Sequence, residues 1–135
     1  MPCHATIYRV PYADTDQMGI VYHANYLKYF EISRTEMLRA QGVAYRDLEA
    51  QDILLQVVSA DLEFHHPARY DDLIELRTTV LQVGAASLLL QSEARLGDQC
   101  LATGKIRLAS VAKSTGRVTR LPDALKNAID NHLQS

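Results

Sequence analysis

One stretch of this chain changes period, and that change limits the possible folds more than any other feature. From Asn25 to Gln41, Leu27, Phe30, Met37 and Leu38 recur at helical spacing, with Arg34 on the same stripe and Lys28, Glu31, Thr35 and Arg39 facing away. Gly42 follows where a C-cap glycine is expected. The segments around this helix have strand character. Ala5 to Tyr12 carries β-formers, and Leu55–His66, Leu73–Val83, Ala86–Leu96 and Cys100–Ala112 follow, divided by Gly84 and by Gly97-Asp98. Ser114-Thr115-Gly116 predicts a turn and Arg117–Thr119 a short return strand. Tyr45–Gln51 predicts a short second helix, and Pro122 opens a last one.

The order is strand, helix, four strands, helix. Hairpin-length connections between the late strands predict an α+β fold with an antiparallel sheet. Such a sheet needs one face covered, and the single long helix is the cover. Its other face and its edges stay exposed, which predicts a dimer. A length of 135 residues predicts one domain, residues 1–135. With 47% apolar and 22% charged residues, disorder is excluded. A net charge of −2 argues against nucleic acid as the main partner. No apolar run approaches the ~18–20 residues of a membrane span, and Met1-Pro2-Cys3-His4 has no basic and apolar leader pattern. Cys3 and Cys100 form no framework, have no CxxC spacing and lack the context of a nucleophile, so they read as inert thiols. The expected location is the reducing cytoplasm.

The seven tyrosines are unevenly spread, with Tyr12, Tyr22, Tyr26 and Tyr29 crowded into one region. That region, Tyr12 to Tyr26, holds Asp14, Asp16, His23 and Asn25 and opens directly onto the helix. Met18, Ile20, Val21 and Tyr22 make it unusually apolar for a surface loop, as an active-site loop would be. The first N–H groups of a helix lack partners and carry partial positive charge, so they can polarise a carbonyl or hold an oxyanion. A loop carboxylate nearby supplies a base or nucleophile, which together suits acyl transfer. The same spacing is also that of turn-capping aspartates and a polar helix start, and by itself it does not separate the two readings.

The run Asp14-x-Asp16-x-x-Gly19-Ile20-Val21-x-His23-x-Asn25-Tyr26-x-x-Tyr29-Phe30-Glu31 resembles the signature of hotdog-fold thioesterases. Within them it is most similar to the 4-hydroxybenzoyl-CoA thioesterase family and its acyl-CoA thioesterases associated with the Tol–Pal envelope system. Phe64-His65-x-Pro67-Ala68-Arg69-Tyr70-Asp71-Asp72 resembles that group as well. The resemblance, over Thr6 to Leu121, implies a curved antiparallel sheet wrapped around one long central helix. It also implies a homodimer or homotetramer with active sites at the dimer interface. It implies hydrolysis of a short-chain or aromatic acyl-CoA, or of an acyl-carrier-protein or polycyclic aryl-CoA thioester, with no metal and no cofactor. Asp16 matches the catalytic carboxylate, as nucleophile or general base, and Asp14 shapes the loop. The N–H of His23 matches the carbonyl-polarising donor, and its side chain assists or orients the site. Tyr12 and Gly19 match positions of the loop, and Asn25 and Tyr26 the run into the helix. Tyr22 and Tyr26 flank the helix start as walls of the acyl pocket. Val57, Val58 and Ser59, in the segment from Leu55, match the wall lent by the partner chain.

Other residues take plainer readings. His65 and His66 are adjacent on an expected strand, point to opposite faces and do not suit one metal ion. Glu31 is read as supporting the site or as the i, i+3 ion-pair partner of Arg34, and Tyr29 as packing. Arg69 suits either a CoA phosphate or a solvated surface. The hairpin Gln82–Ser87 holds no basic residue to grip a CoA nucleotide, which keeps acyl-carrier protein open as the donor. A different class, a binding module that docks on envelope or lipid-synthesis proteins with weak hydrolysis, stands as the rival.

Overall fold

The computed structural model of the protein describes residues 2–134. The elements in chain order are β1 (Cys3–Arg9), α1 (Asn25–Ala40), α2 (Tyr45–Ala50), β2 (Ile53–Phe64), β3 (Leu73–Val83), β4 (Ser87–Leu96), β5 (Gln99–Ala112) and α3 (Asp123–Gln134). The strands form one antiparallel sheet in the order β1-β3-β4-β5-β2. This is the α+β hotdog arrangement that the motifs implied. The short return over Arg117–Thr119 is a bridge between Val118 and Val111. Among the described residues, no helix is long and apolar enough to cross a membrane.

Two strand ends differ from expectation. β1 stops at Arg9 and Tyr12 lies in a 3-10 turn, Tyr12–Asp14. Pro11 stands between them, and a proline cannot donate to a ladder. β2 stops at Phe64, and the N–H groups of both His65 and His66 donate to the single carbonyl of Leu101. The two histidines therefore lie past the strand and do not alternate across it.

Every second residue of β3 and β4 is buried: Ile74, Leu76, Thr78 and Val80 on one, Leu88, Leu90, Ser92 and Ala94 on the other. This inner face meets α1, which buries Tyr26, Tyr29, Phe30, Ser33, Met37 and Leu38. The spacing i, i+3, i+4, i+7 is that of a core stripe. Leu27 falls beside this stripe and is 45% exposed, so it does not belong to the core as its apolarity suggested. Fully burying a side chain such as Phe30 or Met37 contributes ~1.5–3 kcal/mol. Ser33 and Thr78 satisfy each other's buried hydroxyls between helix and sheet.

At Gly104 the helix lies close against the sheet. A Cβ there would lie 2.9 Å from Cε2 and 3.2 Å from Cδ2 of Phe30, and 3.4 Å from Cγ of Leu62. Glycine lets the Phe30 ring rest on the strand backbone. The outer sheet face carries charge, with ion pairs between Glu75 and Arg77 and between Glu93 and Arg95. α3 contacts α1 and buries Leu125, Ala128 and Ile129.

β2 is an edge strand, and its far side has no strand partner among the described residues. Val57 and Phe64 pair with the buried Leu108 and Ala102, so they share the inner face, yet they are 44% and 52% exposed. Val57 pairs with Leu108 and Ser59 with Arg107, which leaves Val58 as an extra residue in a bulge.

Candidate active site

The loop from Val10 to Ala24 connects β1 to α1 and folds back on itself. Thr15 bridges Val21, the Asp16 N–H donates to the Ile20 carbonyl, and the Gly19 N–H donates to the Asp16 carbonyl, each bond 2.9 Å. Gly19 closes this small hairpin at φ +78°, a left-handed conformation that glycine adopts without steric cost. The second sequence motif docks on it: Ile20 bridges Arg69, and the Val21 N–H donates to the Ala68 carbonyl at 2.8 Å. Two motifs far apart in the chain thus form one structural unit.

Asp14 anchors that unit and is 5% exposed. Its Oδ1 accepts from Lys28 Nζ at 2.7 Å, and its Oδ2 accepts from the Tyr29 hydroxyl at 2.8 Å and the Tyr8 hydroxyl at 3.5 Å. Its backbone carbonyl accepts from the Tyr22 N–H and from Asn25 Nδ2, both at 2.9 Å. One residue therefore holds the chain on both sides of the helix start. Burial, then the bond to Asp14, pushes the Tyr29 phenol upward and keeps it a donor. Asp16 is held differently. It is half-buried, its Oδ1 accepts from the Met18 N–H at 2.8 Å, and its Oδ2 accepts no hydrogen bond among the described residues.

At the start of α1, Ala24 has helical torsions and no side-chain cap. The N–H groups of His23 and Ala24 find no acceptor among the described residues, so they stand as orphan donors at the positive end of the helix dipole. The His23 ring lies 4.4 Å from the Tyr22 ring and meets Phe64 edge-on at 6.0 Å. Beside it is a cavity of about 270 Å³, walled by Ile20, Val21, Tyr26, Phe64 and Pro67 together with His23, His65 and His66.

Of the residues singled out from sequence, His23 and Tyr26 line this cavity, and Asp16 and Gly19 belong to the hairpin that carries Ile20. Tyr22 is 47% exposed beside His23. Asn25 spends its side-chain amide on Asp14. Tyr12 lies outside the cavity wall, 75% exposed and edge-on to Tyr70 at 5.6 Å. Val57 lines a separate cavity, and Val58 and Ser59 are exposed at the bulge. Glu31 and Arg34 make no direct ion pair among the described residues, although the Glu31 charge acts on Arg34. Ile20 and Val21, the apolar residues that marked the loop, line the cavity, as do Phe64 and Pro67, whose only signal was the second motif that contains them. Lys28 and Tyr29 carried no signal as partners of Asp14, since only the fold brings them to it.

Residues 10–129 match the family model described as the thioesterase-like superfamily. Over 127 residues, 93% of each chain, this chain is 32% identical to the acyl-CoA thioesterase YbgC of Haemophilus influenzae. Over 81 residues it is 40% identical to the acyl-CoA thioester hydrolase YbgC of Escherichia coli, a match that spans 60% of each chain and so under two-thirds of that relative's length. Among solved structures, the hypothetical protein TT1821 from Thermus thermophilus has a TM-score of 0.89 at 31% identity, with 96% of each chain covered. The DHNA-CoA thioesterase of Staphylococcus aureus has a TM-score of 0.93 at 24% identity, covering 99% of this chain and 93% of that one, a likeness of fold. The sheet wrapped on a central helix, the acid loop running into that helix and the match over nearly the whole chain agree: the protein belongs to the thioesterase-like superfamily.

Proposed function

We propose that this protein is a thioesterase that hydrolyses an acyl-CoA carrying a short-chain or aromatic acyl group. The observation that carries this reading is the helix start, where the N–H groups of His23 and Ala24 lack acceptors beside an apolar cavity. The thioester carbonyl accepts from the His23 N–H, and the charge that develops on its oxygen is stabilised there, an effect of ~3 kcal/mol for one such donor. The uncommitted oxygen of Asp16 then either attacks the carbonyl carbon, expelling the CoA thiolate to leave a mixed anhydride that water cleaves to the free acid and the restored carboxylate, or takes a proton from a water that attacks the carbonyl and expels the thiolate directly. The His23 ring orients the site, Gly19 gives the loop its turn, Tyr26 lines the pocket, Tyr22 flanks it, and Asn25 ties the helix start to Asp14, whereas Tyr12 stays outside the pocket wall. The unpaired β2 edge and the bare Val57, Val58 and Phe64 support a homodimer as the working unit. In it, Val57, Val58 and Ser59 of the partner subunit complete the acyl wall. Names of the relatives support CoA as the donor.

The test is thiol release by the purified protein from a panel of acyl-CoA and acyl-carrier-protein thioesters. Asp16→Asn is expected to lower turnover by about 10²-fold or more while the protein stays folded, and Asp14→Asn to act through stability. Near wild-type turnover in Asp16→Asn refutes the role given to that carboxylate.

A further inference from the structure

A second cavity, about 220 Å³, opens between α1, α2 and β2. Leu38, Leu55 and Val57 give it apolar walls, and the Tyr45 hydroxyl is pinned at its edge by accepting the Leu55 N–H at 2.9 Å. Arg34 lines it from the middle of α1, half-buried, and its guanidinium makes no hydrogen bond and no ion pair within 4.0 Å among the described residues. Burial lowers the Arg34 pKa in spite of the raising effect of Glu31, the other charged residue on the wall. Glu31 is exposed and screened by water, whereas Arg34 lies deeper. The guanidinium thus presents up to five N–H donors at the cavity wall with no acceptor from the described residues, and its nitrogens keep contact with water. A carboxylate satisfies them in the bidentate geometry that guanidinium favours, and the apolar walls suit a short carbon chain attached to it.

The topology says where that chain leads. Two β2 edges paired antiparallel about a two-fold axis place residue i opposite residue j with a constant sum, so each end of one strand meets the opposite end of the other. Phe64 at one end of β2 walls the helix-start cavity, and Leu55 near the other end walls the Arg34 cavity. In a β2 pair that overlaps over its whole length, the helix-start cavity of one protomer would adjoin the Arg34 cavity of its partner.

We propose that Arg34 is a specificity-determining residue that receives, in the dimer, a carboxylate at the far end of the acyl group, so that the favoured substrates are CoA thioesters of short dicarboxylic acids. This rests on the thioesterase reading and on paired β2 edges, and it names the substrate class of that site.

The experiment compares kcat/KM for succinyl-CoA and glutaryl-CoA with that for butyryl-CoA and pentanoyl-CoA, in the wild type and in Arg34→Met, which keeps the apolar stem. The wild type should favour the carboxylated substrates by ~10-fold or more. Arg34→Met should remove that preference chiefly through KM and leave the alkyl substrates unchanged, and Arg34→Lys should restore part of it. Calorimetric binding of free glutarate to wild type and to Arg34→Met reads the cavity without turnover and should be lost in the variant. An unchanged substrate ratio in Arg34→Met overturns the proposal while leaving the thioesterase reading intact. Dimer dissociation with that ratio unchanged overturns it too, and makes Arg34 an interface residue. If no thioester of any kind is cleaved, the thioesterase reading fails, and absence of glutarate binding then overturns the Arg34 site by itself.

Discussion

Replacing Tyr29 with phenylalanine removes one hydroxyl from the buried centre that holds the loop, and the structure sets the size of the effect. The ring stays packed, with Tyr8 at 5.0 Å and Tyr26 at 5.5 Å between centroids, so almost no apolar burial is lost. What is lost is the 2.8 Å bond to Asp14 Oδ2, on a carboxylate that is 5% exposed. A hydrogen bond to a charged group contributes ~1.5–3 kcal/mol. Lys28 remains at 2.7 Å on the other oxygen, and Tyr8 at 3.5 Å is a weak substitute. The expected cost is therefore at the lower end, about 1.5–2 kcal/mol. For a domain of this size that lowers Tm by roughly 5–10 °C. Urea unfolding near pH 7 at fixed protein concentration measures it, with the midpoint shifted and the m-value unchanged. The loss should shrink when Asp14 is already asparagine, since the two groups then no longer share a charged bond. A shift below about 0.5 kcal/mol, or full additivity with Asp14→Asn, would refute the account of Asp14 as a dry anchor held by Tyr29.

Two further outcomes follow from the packing and the titratable groups. Gly104→Ala puts a methyl 2.9 Å from the Phe30 ring and should destabilise by ~1–3 kcal/mol in the same unfolding assay, and truncation of Phe30 to leucine in that background should recover part of the loss. Burial and the neighbouring His4 lower the His132 pKa below 6.5, against an opposing backbone hydrogen bond at Pro2. The folded state then binds fewer protons than the unfolded one as pH falls through about 6.5, so stability should decline there, and His132→Gln should flatten that part of the pH profile.

The fold was legible because period and punctuation are local. The switch from helical spacing at Asn25 to strand spacing after Ile53 survives in the structure, as do the glycine-marked hairpins. Where the reading slipped, the deciding contact was not local. Leu27 is apolar but faces outward, whereas Ser33 is polar and buried because Thr78 of β3 meets it. A bulge at Val58 shifts the phase of β2 and breaks its alternation, and its inner face is left open at Val57 and Phe64. In the candidate site, the loop and the helix start were visible as one run of residues. The roles of the two aspartates were not separable by spacing. Asp14 is committed to Lys28, Tyr29, Tyr8 and the backbone around Asn25, and Asp16 keeps one oxygen uncommitted. That difference exists only once β1 and α1 are packed together.

The sheet order β1-β3-β4-β5-β2 also bears on how the molecule comes into being on the ribosome. β3, β4 and β5 pair with sequence neighbours, so their hairpins close over short loops. β1 has no partner until residues 73–79 have been made, and β2 none until the stretch from residue 102 to 112 has followed. Of the two edge strands, β2 is thus the one whose partner within the chain is made last. A growing chain carries β2, with its apolar Val57, Val58 and Leu62, unpaired through the synthesis of three other strands. Contacts so distant in sequence slow folding, and the site loop, strung between β1 and α1, gains its full support only after β3 has captured β1. A ribosome-bound chain ending before β5 should accordingly be the form in which a chaperone or a second nascent copy meets β2.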